Sequence, residues 1–244
     1  MKKTAGFIFL LLILSTSCID FKKMLEYETT EEEPNIIKTF YKNGKIKTEV
    51  RIDKEKKRHG ISRSYYDNGF VKTEITYDHG VKTNAIQFYD NGNKFMEFPY
   101  KNGKKHGIRK KYWESGKIQS ALEYHEDNPK TGLIEYKRDG EVVTKYPTLK
   151  VRQIDRMETS GKYIVEVYFS SNPNRAAYYL GKLEKGVLNK RLPQLQKVNG
   201  RGRYVYNIMA GSFLMEELTF VASYKTTYGN PYIVTAKTNV AIDF

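Results

Sequence analysis

The sequence predicts an all-β protein, in which a meandering antiparallel repeat sheet is followed by an immunoglobulin-like β-sandwich. One short phrase, aromatic residues followed by a turn signal and glycine, recurs over residues 40–146 with a period of about 24 residues, which is typical of a repeat array. The chain also carries 20 tyrosines and 12 phenylalanines, and aromatic residues favour strands. After Pro147 the period stops but alternation continues, which predicts a second β domain.

A turn glycine marks each repeat. The five glycines are spaced 25, 23, 24 and 24 residues apart: Gly44, Gly69, Gly92, Gly116 and Gly140. Asn, Ser or Asp precedes each of them, and Asn-Gly or Asp-Gly favours the positive φ angles of a type I′ hairpin turn. A second turn is predicted about 15 residues later in each unit, at Gly60, Asn84, Gly107 and Gly132.

Apolar and polar residues alternate after each turn, which predicts a strand with one buried and one solvated face. In the second repeat, Val71, Ile75 and Tyr77 alternate with Lys72 and Glu74. The aromatic residue four places before each turn glycine is predicted to pack in the core: Phe40, Tyr65, Phe88, Tyr112 and Tyr136.

A neighbouring aromatic column is predicted to face the opposite way and to remain half exposed: Tyr41, Tyr66, Tyr89 and Trp113. Exposed aromatic rings interleaved with Lys and Arg are suited to recognition, because rigid amphipathic rings dominate binding hot spots. We call these four residues the candidate binding strip. The alternative is that the rings only support strand pairing.

The phrases YYDNGFVKTEITYDHG and KNGKKHGIRKKYWESGKIQ resemble the bacterial variant of the MORN repeat, whose units stack as a meandering antiparallel sheet. The resemblance covers about 105 of the 244 residues. It implies a fold more specifically than a function, since eukaryotic relatives are linked with phospholipids or scaffolding and bacterial ones are often labelled antitoxin-like. The fifth unit departs from the pattern at Lys137 and is expected to cap the array.

The N-terminus has the features of an export signal: Lys2 and Lys3, an apolar stretch over residues 5–14, and small residues up to Ser17. Ten apolar residues rise about 15 Å as a helix, which is too short for a permanent membrane span. Cys18, the only cysteine, follows at once and resembles the lipobox cysteine of bacterial lipoproteins, although Ser15 stands where leucine is usual.

That resemblance implies that Cys18 carries a diacylglycerol and usually a further acyl chain such as palmitate, which together anchor the chain stably to a membrane. Cleavage by an ordinary signal peptidase, leaving a free thiol, is the alternative. Residues 18–36 are then a lipidated N-terminus and tether; the alternative for residues 19–36 is a short amphipathic segment that packs on the first repeat. The predicted location is the bacterial cell envelope, at the outer membrane or cell surface.

The sequence contains no G-x-S-x-G, Walker or dinucleotide fingerprint, so we expect no enzyme activity, no catalytic residues and no cofactor. The histidines, His59, His79, His106 and His125, lie near second turns. Strand spacing places His59 and His106 about 9–20 Å apart, too far for one ion, so no metal site is expected. Glu49, Glu74 and Glu97 recur in a row, which indicates cross-strand pairing with Lys and Arg.

The formal charge is +14 and is spread over both halves of the chain. This excess suits a partner with an anionic surface, such as phospholipid heads, a polyanionic glycan or an acidic protein. A nucleic-acid partner is disfavoured because no basic helix or nucleic-acid motif is present.

The C-terminal region is predicted to have strands at residues 148–157, 162–170, 203–210, 218–226 and 232–244, and a short helix near 183–189. This number of strands suits an immunoglobulin-like sandwich without its inter-sheet cysteines. Loops 172–175 and 226–231 are the contact candidates in this domain.

The predicted organisation is therefore a signal peptide (1–17), a lipidated tether (18–36), repeats (37–147) and a sandwich (148–244). The predicted function is non-catalytic binding or scaffolding at the membrane. One alternative is an immunity protein that neutralises a toxin partner, and another is a glycan-active enzyme in the C-terminal domain.

Overall fold

The structure is a computed structural model that describes residues 35–171, 173, 175–189 and 191–244. The predicted signal peptide, Cys18 and the tether up to residue 34 lie outside the described residues. Asn35 and Ile36, assigned to the tether above, already belong to the first strand. Within the described part of the chain, no helix is long and apolar enough to cross a membrane.

Residues 35–135 form one antiparallel meandering sheet of eleven strands, which confirms the predicted repeat sheet. The six strands of its first half are β1 (Asn35–Phe40), β2 (Ile46–Ile52), β3 (Gly60–Tyr65), β4 (Val71–Asp78), β5 (Val81–Phe88) and β6 (Lys94–Lys101). The others are β7 (Lys104–Lys105), β8 (Gly107–Tyr112), β9 (Ile118–His125), β10 (Asn128–Pro129) and β11 (Ile134–Glu135). Sequential strands are neighbours along the path, except that β7 pairs only with β6 and β11 only with β9.

The repeat turns differ in type from the prediction. The backbone N–H of Gly69 donates to the Tyr66 carbonyl (3.0 Å), and the N–H of Tyr66 donates to the Phe70 carbonyl (2.8 Å). Gly69 has a φ of 99°, whereas Asn68 is not among the residues with positive φ. A type I′ turn needs positive φ at both central residues, so this is a three-residue loop with a glycine bulge. The Asn68 side chain instead accepts the N–H of Phe70 (3.0 Å).

The second turns also lie elsewhere than predicted. The chain reverses at His79-Gly80, where both residues have positive φ (40° and 89°), as a two-residue type I′ loop requires. Gly60 begins β3, Gly107 begins β8, and Asn84 lies inside β5. Gly132 lies in the loop between β10 and β11, so only one of the four predicted positions falls between strands.

Replacing Gly69 with valine is expected to lower the free energy of unfolding by about 1–3 kcal/mol, because a β-branched residue is strained at positive φ. A Cβ atom at Gly69 would meet no heavy atom within 4 Å, so a steric clash would not contribute. Urea unfolding measures the change. Gln87→Val, at an exposed position of β5, is the control. Equal midpoints for the two variants would contradict this account of the turn.

The repeat sheet has no buried face of the predicted kind. Within residues 35–147, the buried apolar side chains are Tyr77, Leu122 and Tyr124, while Val71 and Ile75 remain half exposed. The interpretation of the first aromatic column as core is wrong. Phe40 is 58% exposed, and the hydroxyl groups of Tyr65 and Tyr112 donate to Glu49 (2.5 Å) and Glu97 (3.3 Å).

The C-terminal region contains two further sheets. They are built from β12 (Leu149–Arg156), β13 (Lys162–Phe169), β14 (Ala177–Leu180), β15 (Gln196–Val198), β16 (Arg201–Asn207), β17 (Phe213–Lys225) and β18 (Pro231–Asp243). One sheet has the order β12-β13-β16-β15 and the other β14-β17-β18. A four-residue helix, α1 (Met157–Ser160), connects β12 and β13. The helix predicted at residues 183–189 is absent, since this stretch forms a turn closed by a β-bridge.

The two C-terminal sheets share one hydrophobic core, in which Val167 and Phe169 of β13 pack with Tyr178 of β14 and Phe220 of β17. If the seven strands are lettered A to G, the sheets are A-B-E-D and C-F-G. That is the strand order of a constant-type immunoglobulin sandwich. The agreement is one of strand order only.

Candidate binding surface on the repeat sheet

The residues of the candidate binding strip form a hydrogen-bonded ladder between successive repeats. Each one donates from its side chain to a backbone carbonyl of the next unit. The pairs are Tyr41 to Tyr65 (2.6 Å), Tyr66 to Phe88 (2.8 Å), Tyr89 to Tyr112 (2.9 Å) and Trp113 to Tyr136 (3.2 Å). All four rings are half-buried. The four residues therefore do support the pairing of successive repeats, as the alternative interpretation proposed. Part of each ring nevertheless stays accessible to solvent.

A cation lies over the ring in the first two repeats. Lys47 Nζ is 5.7 Å from the Tyr41 ring centre, and Lys72 Nζ is 5.4 Å from that of Tyr66. Both lysines follow their tyrosine by six residues, and both are exposed. In the third repeat the equivalent position is Phe95, whose ring packs edge-on against Tyr89 at 5.1 Å. Arg138 Cζ lies 5.1 Å from the ring centre of Trp113, the member of the strip in the fourth repeat. A cation thus accompanies the rings of Tyr41, Tyr66 and Trp113.

The first repeat also forms a groove of about 480 Å³ beside the strip. Its lining consists of Phe40, Tyr41, Lys42, Asn43, Lys47 and Asp67. The Phe40 ring is 58% exposed, so an apolar surface lies next to the cationic one. This combination suits an aromatic or acidic group.

The last member of the strip is covered by a loop of the chain itself, residues 226–230. The rings of Trp113 and Tyr228 meet edge to face at 5.0 Å. Lys111 Nζ donates to the Tyr228 carbonyl (2.8 Å), and Arg109 donates to the Asn230 side chain (2.6 Å). Because Arg109, Lys111 and Trp113 occupy alternate positions, they belong to one side of the sheet.

A buried polar network holds this loop in place. Glu135, 1% exposed, accepts hydrogen bonds from the Thr226 hydroxyl (2.6 Å), the Asn230 amide (2.6 Å) and the Tyr146 hydroxyl (3.2 Å). Burial lowers the pKa of Arg109, and burial together with Glu135 raises the pKa of Tyr146. Loop 226–231, predicted as a contact site, is thus largely used inside the chain. Two positions of the other predicted loop, 172 and 174, lie outside the described residues.

The opposite side of the sheet carries the predicted row of glutamates. Glu49 pairs with Lys38 (3.4 Å) and Glu74 with Arg63 (2.9 Å), both across strands, while Glu97 pairs with Lys94 (3.6 Å) within β6. Burial and the hydrogen bond to Glu49 raise the pKa of Tyr65 to about 12. This row neutralises neighbouring basic residues.

The histidines form two close pairs that the sequence analysis did not predict, since it considered only the distance between His59 and His106. The ring centres of His59 and His79 are 4.5 Å apart, and those of His106 and His125 are 4.9 Å apart. Asp53 lies beside the first pair, with Oδ2 2.8 Å from His79 Nδ1. Burial opposes ionisation of Asp53, yet hydrogen bonds, chiefly from the Lys57 backbone, keep its pKa below the usual range. Among the residues that the structure describes, Asp53, His59 and His79 form a cluster whose ligand atoms lie close enough together to hold a metal ion.

Some of these residues had no sequence signal. Glu135 and Asn230 are 95 positions apart, and Arg109 and Asn230 are 121 apart. Only the folded chain brings them together. The histidine pairs follow from the strand register. Gly60, directly after His59, pairs with Tyr77, which lies two residues before His79. Gly107, directly after His106, pairs with Tyr124, which lies directly before His125.

No curated protein matches the chain significantly. A family model described as "MORN repeat variant" matches residues 35–53, 58–79 and 105–126, together about a quarter of the chain. These segments cover the first, second and fourth repeats, whose turns and strands are described above. Three units of the sheet are therefore similar to the MORN repeat variant.

Proposed function

We propose that this protein is a lipid-anchored, non-catalytic binding protein of the bacterial envelope, and that its partner docks on the repeat sheet along Tyr41 and Tyr66. The observation that supports this docking surface is the contact of loop 226–230 with Trp113, the member of the candidate binding strip in the fourth repeat. That internal contact uses a ring edge and a lysine on a backbone carbonyl. The first two repeats offer groups of the same kind, a half-buried ring and an exposed lysine, but their lysines follow the ring by six residues, whereas Lys111 precedes Trp113 by two.

The chemistry of the internal contact favours a protein partner that presents an aromatic side chain and accessible carbonyl or carboxylate oxygens. Lys47 and Lys72 would bind those oxygens, and the groove beside Phe40 would take the ring. MORN repeats are generally binding or membrane-associated modules, which is consistent with this role. A toxin neutralised by an immunity protein would be one partner of this kind, and that alternative uses the same surface.

Charge reversal tests the surface without disturbing the hydrogen-bonded ladder. Lys47→Glu combined with Lys72→Glu is expected to reduce partner recovery at least tenfold in a crosslinking pull-down from the native envelope. Lys101→Glu combined with Lys110→Glu, also at exposed strand positions, changes the charge equally and is expected to leave recovery unchanged. Unchanged recovery with the first variant would refute the surface.

A second arm of the same experiment separates a protein from an anionic lipid. Vesicles with and without phosphatidylglycerol are incubated with chain that lacks residues 1–18. Binding to the anionic vesicles that disappears in Lys47→Glu/Lys72→Glu would replace the protein partner with a lipid surface. Absence of vesicle binding, together with loss of the crosslinked partner, is the expected result.

The anchor is tested separately. Cys18→Ser is expected to abolish incorporation of radiolabelled palmitate and to release the protein from the pelleted membrane fraction, because the acyl chains supply the anchoring free energy. Pelleting is measured after a carbonate wash that removes peripheral proteins, and Ser17→Ala serves as the control. Membrane pelleting that persists in Cys18→Ser would contradict the anchor while leaving the binding surface untouched.

A further inference from the structure

Three potential metal ligands lie close together at one end of the strands, in the loop between β2 and β3 and the turn between β4 and β5. Asp53 is in the loop between β2 and β3, His59 immediately precedes β3, and His79 is in the two-residue turn between β4 and β5. One nitrogen of each ring and one carboxylate oxygen of Asp53 all lie within 4.8 Å of one another. The closest pair is His79 Nδ1 and Asp53 Oδ2, at 2.8 Å.

Asp53 is held in position by its surroundings. Its Oδ1 accepts the backbone N–H groups of Glu55 (3.0 Å) and Lys57 (2.8 Å), so Oδ2 is the oxygen that faces the histidines. The side chain is only 11% exposed, whereas those of His59 and His79 are 47% and 64% exposed. Hydrogen bonds that orient a ligand in this way raise the affinity of metal sites.

We propose that Asp53, His59 and His79 form a binding site for a divalent transition-metal ion of the zinc type. Two imidazoles and one carboxylate are a ligand set that zinc uses, with bonds of about 2.0–2.2 Å. Tetrahedral bonds of that length place the ligand atoms about 3.3–3.6 Å apart, which side-chain rotation can reach from the present positions. The ion would link the first repeat, through Asp53, to the second repeat, through His59 and His79.

Asp78 is the fourth group near the site. Its Oδ1 is 3.6 Å from His59 Nδ1 and 4.0 Å from His79 Nε2. His59 Nδ1 now accepts the backbone N–H of His79 (3.2 Å). A metal at Nδ1 would occupy the lone pair that accepts this N–H, and a metal at Nε2 would leave the proton on Nδ1, so metal binding in either mode ends this contact. If Nε2 binds the ion, the Nδ1 proton is directed to Asp78, as carboxylates commonly support metal-bound histidines.

The chain contains its own comparison for this site. His106 and His125 have the same place in the fourth repeat, with ring centres 4.9 Å apart. In the part of the chain that the structure describes, no carboxylate completes this second pair as Asp53 completes the first. The difference between the two pairs therefore isolates the contribution of Asp53.

The test uses the full chain, purified without a histidine tag, and ZnCl₂ as the titrant in calorimetry. One zinc ion per chain is expected. Asp53→Asn, which keeps the two backbone hydrogen bonds, and His79→Asn, which tolerates positive φ, are each expected to weaken binding at least tenfold. His125→Ala is expected to leave zinc affinity unchanged. Cobalt absorption spectra of the same proteins report whether the ion has tetrahedral coordination.

Each other outcome would overturn the site. Absence of zinc binding by the wild-type chain refutes it directly. Equal affinity in the wild type and His79→Asn places any bound ion elsewhere, and a loss in His125→Ala as large as that in His79→Asn means that zinc binds surface histidines without selectivity. Far-UV circular dichroism of each variant excludes unfolding as the cause of a loss.

Discussion

Replacing Glu135 with alanine is expected to lower the free energy of unfolding by about 3–5 kcal/mol, because removing one partner of a buried charged network leaves the others uncompensated. Glu135 is 1% exposed and accepts hydrogen bonds from Thr226 and Asn230 (both 2.6 Å). Arg109, which is 5% exposed, would lose the nearby negative charge while remaining buried. Urea unfolding measures the loss, and Glu114→Ala, at an exposed position, is the control with an expected midpoint near that of the wild type.

The same substitution is expected to loosen loop 226–230 from the repeat sheet. Trp113 is the only tryptophan in the chain, and its ring lies 5.0 Å from that of Tyr228. Its fluorescence therefore reports on the loop contact directly. A red-shifted emission maximum in folded Glu135→Ala is the expected result, since the indole would gain contact with water. An unchanged maximum combined with wild-type stability would show that Glu135 does not hold the loop.

The repeat sheet was predictable from the sequence because its determinants are local. A glycine such as Gly69, with an asparagine before it and alternation after it, specifies a hairpin within about ten residues. The exact turn was not predictable from the dipeptide. Asn68 satisfies the Phe70 N–H with its side chain, which favours the three-residue loop over the type I′ turn that the same two residues can also form.

Burial was the weaker part of the prediction. Alternation in β4 identifies the two sides of the strand but not what covers them, and a single-layer sheet leaves Val71 and Ile75 half exposed. Tyr65 was assigned to the core, yet its hydroxyl group reaches Glu49 on the charged side. Tyr65 follows Arg63 by two residues and shares its side, where Arg63 and Glu49 are cross-strand partners. Because of the register shift between Ser64 and Tyr65, its own partner Val71 does not indicate that side.

In the sandwich, the strands with regular alternation were predicted and the short ones were missed. β13 alternates clearly from Tyr163 to Phe169, whereas β14 and β15 have only four and three residues. The two candidate sites also differ in whether they could be predicted from the sequence. The aromatic column was visible as a repeat, but the Asp53 cluster required the register that places the turn at His79 beside the loop before β3.

Glu166 is the second position where a large effect is expected. It lies in β13, is 1% exposed, and accepts hydrogen bonds from Arg152 (2.7 Å), Arg201 (2.9 Å) and Arg203 (2.8 Å). Glu166→Ala removes the charge that three guanidinium groups share, so the free energy of unfolding is expected to fall by about 3–5 kcal/mol. Glu158→Ala, at an exposed position of α1, is the control.

The pH dependence distinguishes this charge effect from a loss of packing. Burial opposes ionisation of Glu166, but the three arginines prevail and lower its pKa from 4.5 to about 2. Because the folded-state pKa lies below the unfolded one, the stabilisation is present above about pH 4.5 and is lost as the pH falls towards 2. Urea unfolding of the wild type should therefore show stability falling across this window, and Glu166→Gln should show a smaller fall. The same slope in both proteins would mean that Glu166 does not stabilise the sandwich through its charge.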